Sequence, residues 1–223
     1  MDAPLRRSFA VLLLCAVAVV AIQRAVEPSS GRGAAPGGTA EITPELRAAG
    51  LRFGPEVSAT DRAWVLGAVA VARPEAKRLI DEVDGLVTVR TQADLGDAVG
   101  LARLGGDSAT IVLATAALNG DRALDRNAAV LHELGHVIDH LLVPDDVVEQ
   151  LDAGIPRLGA CESPSDDMGP CTAVAERFAD TFAKWALGGR VSLAGSGYGI
   201  PAPASLEDWG APLGLLAAKL SLG

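Results

Sequence analysis

The segment Ala128–Leu142, AAVLHELGHVIDHLL, constrains this chain more than any other stretch. It holds all three histidines of the 223 residues, His132, His136 and His140, within nine positions. On a helix, His132 and His136 lie one turn apart on the same face, since four residues advance about 400°. Two imidazoles placed this way fit two corners of a zinc tetrahedron. Glu133, rotated by about 100°, points towards the open position where a water would sit. The alternative is an accidental H-E-x-x-H on an ordinary amphipathic helix. Against it, no histidine occurs elsewhere, and Gly135 sits in the helix interior at a cost of about 1 kcal/mol. The spacing therefore predicts a zinc-dependent peptidase.

A catalytic zinc holds three protein ligands and leaves one position open, so two histidines are not enough. The third is sought on Thr172–Leu187, TAVAERFADTFAKWAL, which has no proline or glycine inside and an apolar stripe of Val174, Phe178, Phe182 and Trp185. Glu176 and Asp180 stand one turn apart on this predicted helix. Glu176 is the candidate ligand. Asp180 is the candidate carboxylate accepting the outer ring N–H of a ligating histidine, His132 in the first instance, which fixes the tautomer and raises ligand basicity.

His132-Glu133-Leu134-Gly135-His136, followed forty residues later by Glu176-x-x-x-Asp180, resembles the gluzincin pattern of zinc peptidases. Locally, HELGHVIDH and AERFADTFA are most similar to the catalytic domain of the anthrax lethal factor group. The resemblance covers about a quarter of the chain. It implies His132, His136 and Glu176 as zinc ligands, Glu133 as general base, and a peptide or protein substrate. The chain departs from that group between Cys161 and Thr172, where the tyrosine that would help to stabilise an oxyanion is missing. The only tyrosine, Tyr198, lies in the Gly/Ser/Pro stretch Ser192–Pro203 and is the candidate oxyanion or proton donor, against a plain packing role. The metzincin pattern needs glycine three residues after His136 and histidine six after; Asp139 and Leu142 stand there instead. His140 is read as a helix-end or buried hydrogen-bonding residue.

The expected fold is α+β and zincin-like, a small sheet with two helices before the histidine helix and a mostly helical lobe after it. Thr60 is read as the N-cap of a helix through Ala72, and Pro74 as the first turn of a second with Ala76, Leu79, Ile80 and Val83 on one face. Leu86–Arg90 reads as a strand. Val99–Leu104 and Ala109–Thr115 read as two more, joined by Gly105-Gly106-Asp107. By the same resemblance, Ala109–Thr115 is expected to be the edge strand along which a substrate peptide extends. Asp145–Asp152 and Pro212–Leu222 read as helices, and Thr172 as the N-cap of the Glu176 helix.

Three regions divide the chain. Residues 1–26 carry Arg6 and Arg7 ahead of fourteen apolar residues, Phe9–Ile22, the layout of a secretory signal peptide. The run is shorter than the roughly 18–20 residues of a spanning helix, and an uncleaved N-terminal anchor is the rival reading. Residues 27–41 are a flexible linker rich in Pro, Gly, Ser and Ala, and 42–223 are the expected peptidase domain. Export makes a disulfide the default for Cys161 and Cys171, since nothing nearby completes a thiolate metal site. A net charge of −9 argues against nucleic acid as a partner. The competing function is a non-hydrolytic zinc-binding module on a zincin scaffold, exported as a binding or structural protein; the intact Glu133 argues against it.

Overall fold

The structure is a computed structural model that describes residues 50–96, 98–119, 125–157, 173–191 and 200–222. Its first half is built on a sheet. Strand β1 (Arg52–Phe53) leads into helices α1 (Ala59–Ala70) and α2 (Pro74–Glu82), then strands β2 (Val87–Gln92), β3 (Gly100–Gly105) and β4 (Ser108–Ala114), and the short helix α3 (Thr115–Asn119). Helix α1 is capped by Ser58 rather than Thr60; the Ser58 hydroxyl accepts from the amide of Asp61, and Asp61 in turn accepts from the Trp64 indole. Pro74 opens α2 as its spacing predicts, with Ala76, Leu79 and Ile80 buried.

The strand order is β1-β2-β4-β3, with β1–β2 and β2–β4 parallel and β3–β4 antiparallel. This overturns the expectation that Ala109–Thr115 forms the edge. Strand β4 is interior because it pairs with β2 on one side and with its own hairpin partner on the other. Its near-continuous apolar run Ala109–Ala114 is the pattern of a strand covered by neighbours, and Ile111, Val112, Leu113 and Ala114 are all buried. The two edge strands are the short β1 and the six-residue β3. A two-residue turn joins β3 to β4, with Gly106 at φ 52° in its first central position and Gly105 opposite Ser108.

The second half is helical: α4 (Arg126–Leu142), α5 (Asp145–Ala153), α6 (Val174–Ala186) and α7 (Leu206–Leu220). Asp125 caps α4, accepting from the amides of Asn127 and Ala128. From Val130 to Ile138 every residue of α4 is buried, and the helix packs against α6, α1 and the strands β3 and β4. The N-cap of α6 is Ala173, which offers no side-chain bond, rather than Thr172. Helix α7 begins six residues earlier than its sequence suggests. Ser205 caps it, and it continues through Pro212 because Trp209, Leu213 and Ala217 are buried on its inner face. Among the described residues no helix is long and apolar enough to cross a membrane.

Few aromatic side chains pack this lobe, and most of them belong to or touch α6. Phe178, Phe182 and Trp185 are buried in succession along it, and Trp209 from α7 meets Phe178 and Trp185 at ring-centroid distances of 6.0 and 6.5 Å. Gly210 makes that meeting feasible: a Cβ there would fall 1.9 Å from the Trp185 indole nitrogen. Gly210→Ala is therefore expected to cost about 1–3 kcal/mol through overpacking. It should lower the thermal midpoint followed by circular dichroism while leaving metal binding by the folded protein unchanged.

Candidate metal centre

The convergence of His132, His136 and Glu176 follows from how closely α4 and α6 approach each other. A Cβ on Gly135 would lie 2.9 Å from the Ala179 Cα and 3.3 Å from both the Ala179 carbonyl oxygen and a Phe182 ring carbon. The glycine in H-E-L-G-H thus lets the backbone of α6 settle directly on α4. The histidines flank it in sequence and Glu176 reaches them from the first turn of α6.

His132 Nε2 stands 3.1 Å from Glu176 Oε2 and 3.2 Å from His136 Nε2, and His136 Nε2 stands 3.3 Å from the same Glu176 oxygen. The three atoms form a nearly equilateral triangle. With bonds of 2.0–2.1 Å, the ligand atoms of a regular zinc tetrahedron stand about 3.3 Å apart, so the triangle matches one face of such a tetrahedron. The donor chemistry fits as well. Two imidazole nitrogens and a carboxylate oxygen converge on one point, an arrangement a cation satisfies without any proton between them. The His132–His136–Glu176 group could hold a metal ion. The histidines are buried, whereas the Glu176 side chain is 29% exposed and sits on the solvent side.

Electrostatics separate the two glutamates. Burial pulls the Glu176 carboxyl up, but its bonds to both imidazoles outweigh that and hold it well below the ordinary carboxylate range. Glu133 is buried without such bonds, and burial pushes its carboxyl up against the partial relief from His132 and His136. Burial alone would lower the His136 imidazole; the hydrogen bond and charge of Glu176, helped by Glu133 and Asp139, raise it instead. The Glu133 side chain lies against the edge strand: a Cβ on Gly100 would fall 2.4 Å from Glu133 Oε1 and 2.8 Å from its Cγ and Cδ. No other residue type leaves that space free.

Asp180 is 5% exposed, and its Oδ2 accepts from the Lys184 ammonium, which also donates to the Ile200 carbonyl. His140 is exposed in the last turn of α4, a helix-end residue. Tyr198 and the Cys161–Cys171 pair lie outside the described residues. Two neighbours of these residues were not singled out in the sequence, Gly100 against Glu133 and Lys184 against Asp180. A glycine inside a strand signals close approach by another group, which Gly100 illustrates. Lys184, four residues after Asp180, carried the signal of an i,i+4 ion pair.

The chain matches no protein-family model, no curated protein and no solved structure.

Two outcomes follow from this geometry. Gly135→Ala must push α6 away by several tenths of an ångström, so the folded variant should bind metal at least tenfold more weakly, measured by chelator competition. Asp139, half-buried beside His136, His140 and Asp145, is pushed up to about 6, chiefly by burial. Its ordinary value is near 3.8, so the folded state carries a penalty above pH 6 that fades as the pH falls towards 4. In metal-free protein, Asp139→Asn should raise the thermal midpoint at pH 8 and leave it unchanged at pH 4.

Proposed function

We propose that this chain is an exported zinc-dependent endopeptidase with a zincin-like fold. The observation that carries the reading is the triangle of His132, His136 and Glu176 with a buried carboxylate, Glu133, projecting from the histidine helix. Three ligands leave a fourth position open, as hydrolytic zinc sites require. Zinc held there would supply Lewis acidity, polarising a scissile carbonyl and making water a nucleophile near neutral pH.

The remaining work falls to the chain itself. Glu133 takes the proton from the attacking water and returns it to the leaving amine; a carboxyl raised by burial retains a proton long enough to deliver it. Asp180 fixes the outer ring nitrogen of His132 through the oxygen that Lys184 does not occupy. The substrate strand lies along β3. Hydrogen bonding in the hairpin alternates from the Gly105–Ser108 pair, and the Ala114 amide donating to the Val99 carbonyl keeps that phase. The N–H and C=O groups of Gly100, Ala102 and Leu104 therefore face away from β4, free to pair with an extended peptide beside Glu133.

Wild-type protein is expected to carry one equivalent of zinc by elemental analysis and to cleave members of a peptide library. Glu133→Gln should keep the zinc and lower kcat at least 10²–10⁴-fold, whereas Glu176→Ala should lose the metal. Full activity in the first variant removes Glu133 as the base. Zinc without cleavage in wild type would favour the non-hydrolytic module.

A further inference from the structure

A lysine has no ordinary place in the core of this lobe. Lys184 is 3% exposed on the inner face of α6, between Phe182 and Trp185 in sequence, and both ends of its ion pair are closed to water. A buried ion pair is seldom the most stable filling for its volume, since apolar residues of similar size usually serve as well or better. The carboxylate partner explains its presence. Asp180 stands one helical turn beyond Glu176, so its face of α6 is the one turned to the metal ligands. An ionised group there needs both a countercharge and a fixed rotamer. An ammonium four residues along the helix supplies the two together.

Lys184 does more than neutralise. Of its three N–H donors, one goes to Asp180 Oδ2 and another to the backbone carbonyl of Ile200, itself 2% exposed. The acceptor on Ile200 cannot rotate away as a side chain could, so it anchors the ammonium from outside α6. The anchored ammonium in turn holds one carboxylate oxygen, and the other is left with a defined direction.

We propose that Lys184 is a positioning residue of the metal centre: bridged between Asp180 and the Ile200 carbonyl, it sets the direction in which Asp180 presents its second oxygen to the zinc ligands. This rests on the reading of Asp180 as the carboxylate that orients His132.

The test uses the full folded domain and zinc alone as probe, with dissociation constants from chelator competition below the thermal midpoint of each variant. Lys184→Met is expected to weaken zinc binding about 10–100-fold, the usual effect of losing an orienting partner. In Asp180→Asn, adding Lys184→Met should change affinity by less than twofold, because the two act through one contact. Simple electrostatics predicts the opposite sign, since removing a cation near a cation site tightens binding. Tighter binding in Lys184→Met, or binding within twofold of wild type with only a lowered thermal midpoint, overturns the proposal. Should Lys184→Met not fold, Lys184→Gln, which keeps a donor, is judged by the same criterion and should show a smaller loss of at least threefold. Wild-type protein that binds no zinc refutes the metal reading itself, whereas normal wild-type binding with additive effects of the two substitutions refutes only the role of Lys184.

Discussion

The approach of two helix backbones at Gly135 and Ala179 is the constraint on which the rest of the domain depends. The histidines of α4 alone give two nitrogens, and the Glu176 carboxylate on α6 joins them only if its helix lies within side-chain reach. A glutamate is short, and the 3.1–3.3 Å triangle tolerates little displacement. The core is arranged accordingly. Every residue from Val130 to Ile138 is buried, so α4 is enclosed by its neighbours and cannot shift away from α6 without repacking them. The cost of a glycine inside a helix, about 1 kcal/mol, is offset by the packing it permits.

Helix α6 is held in that position by charged side chains as much as by its aromatic ones. Arg177, 1% exposed, donates to the Asp152 carboxylate and to the Ile155 carbonyl, which joins α6 to the end of α5. Arg73, at the N-cap of α2, lies 4.8 Å from the Trp185 ring and pairs with Glu207 of α7, while its amide donates to the Ala186 carbonyl. Lys184 ties the same helix to Ile200. Each of the three reaches a different segment and each ends on a backbone carbonyl or a specific carboxylate. Such contacts discriminate between helix rotations more sharply than an Ala-rich apolar surface does, which suits a protein with only 4% aromatic residues.

What could be read from the sequence was what local spacing encodes. The histidine helix, the Pro74 start of α2, the β3–β4 hairpin and the carboxylate pair on α6 all depend on residues within a few positions of one another, and the structure has each of these elements. The strand order was not local. Strand β4 is interior because of a parallel pairing with β2 across about twenty residues, although its unbroken apolar run already distinguished it from a half-exposed edge. The start of α7 was missed because Pro212 reads as a first-turn residue, while the cap at Ser205 and the burial of Trp209 decide the matter from the tertiary side. Gly100 meets Glu133, and Lys184 meets the Ile200 carbonyl, across segments that no spacing rule connects, whereas the Asp180–Lys184 pair is local and does carry the i,i+4 signal.

The hairpin turn at Gly106 has a consequence well away from the turn itself. Side chains alternate along β3, so the residue facing Glu133 is fixed by the count back from the Gly105–Ser108 pair. A slip of one position would bring Val99 or Leu101 to the place of Gly100 and set a branched side chain where only 2.4 Å is free. A mispaired hairpin would then do more than weaken the sheet: it would expel the buried carboxylate from its seat. Correct sheet pairing and the seating of Glu133 are thus one folding event.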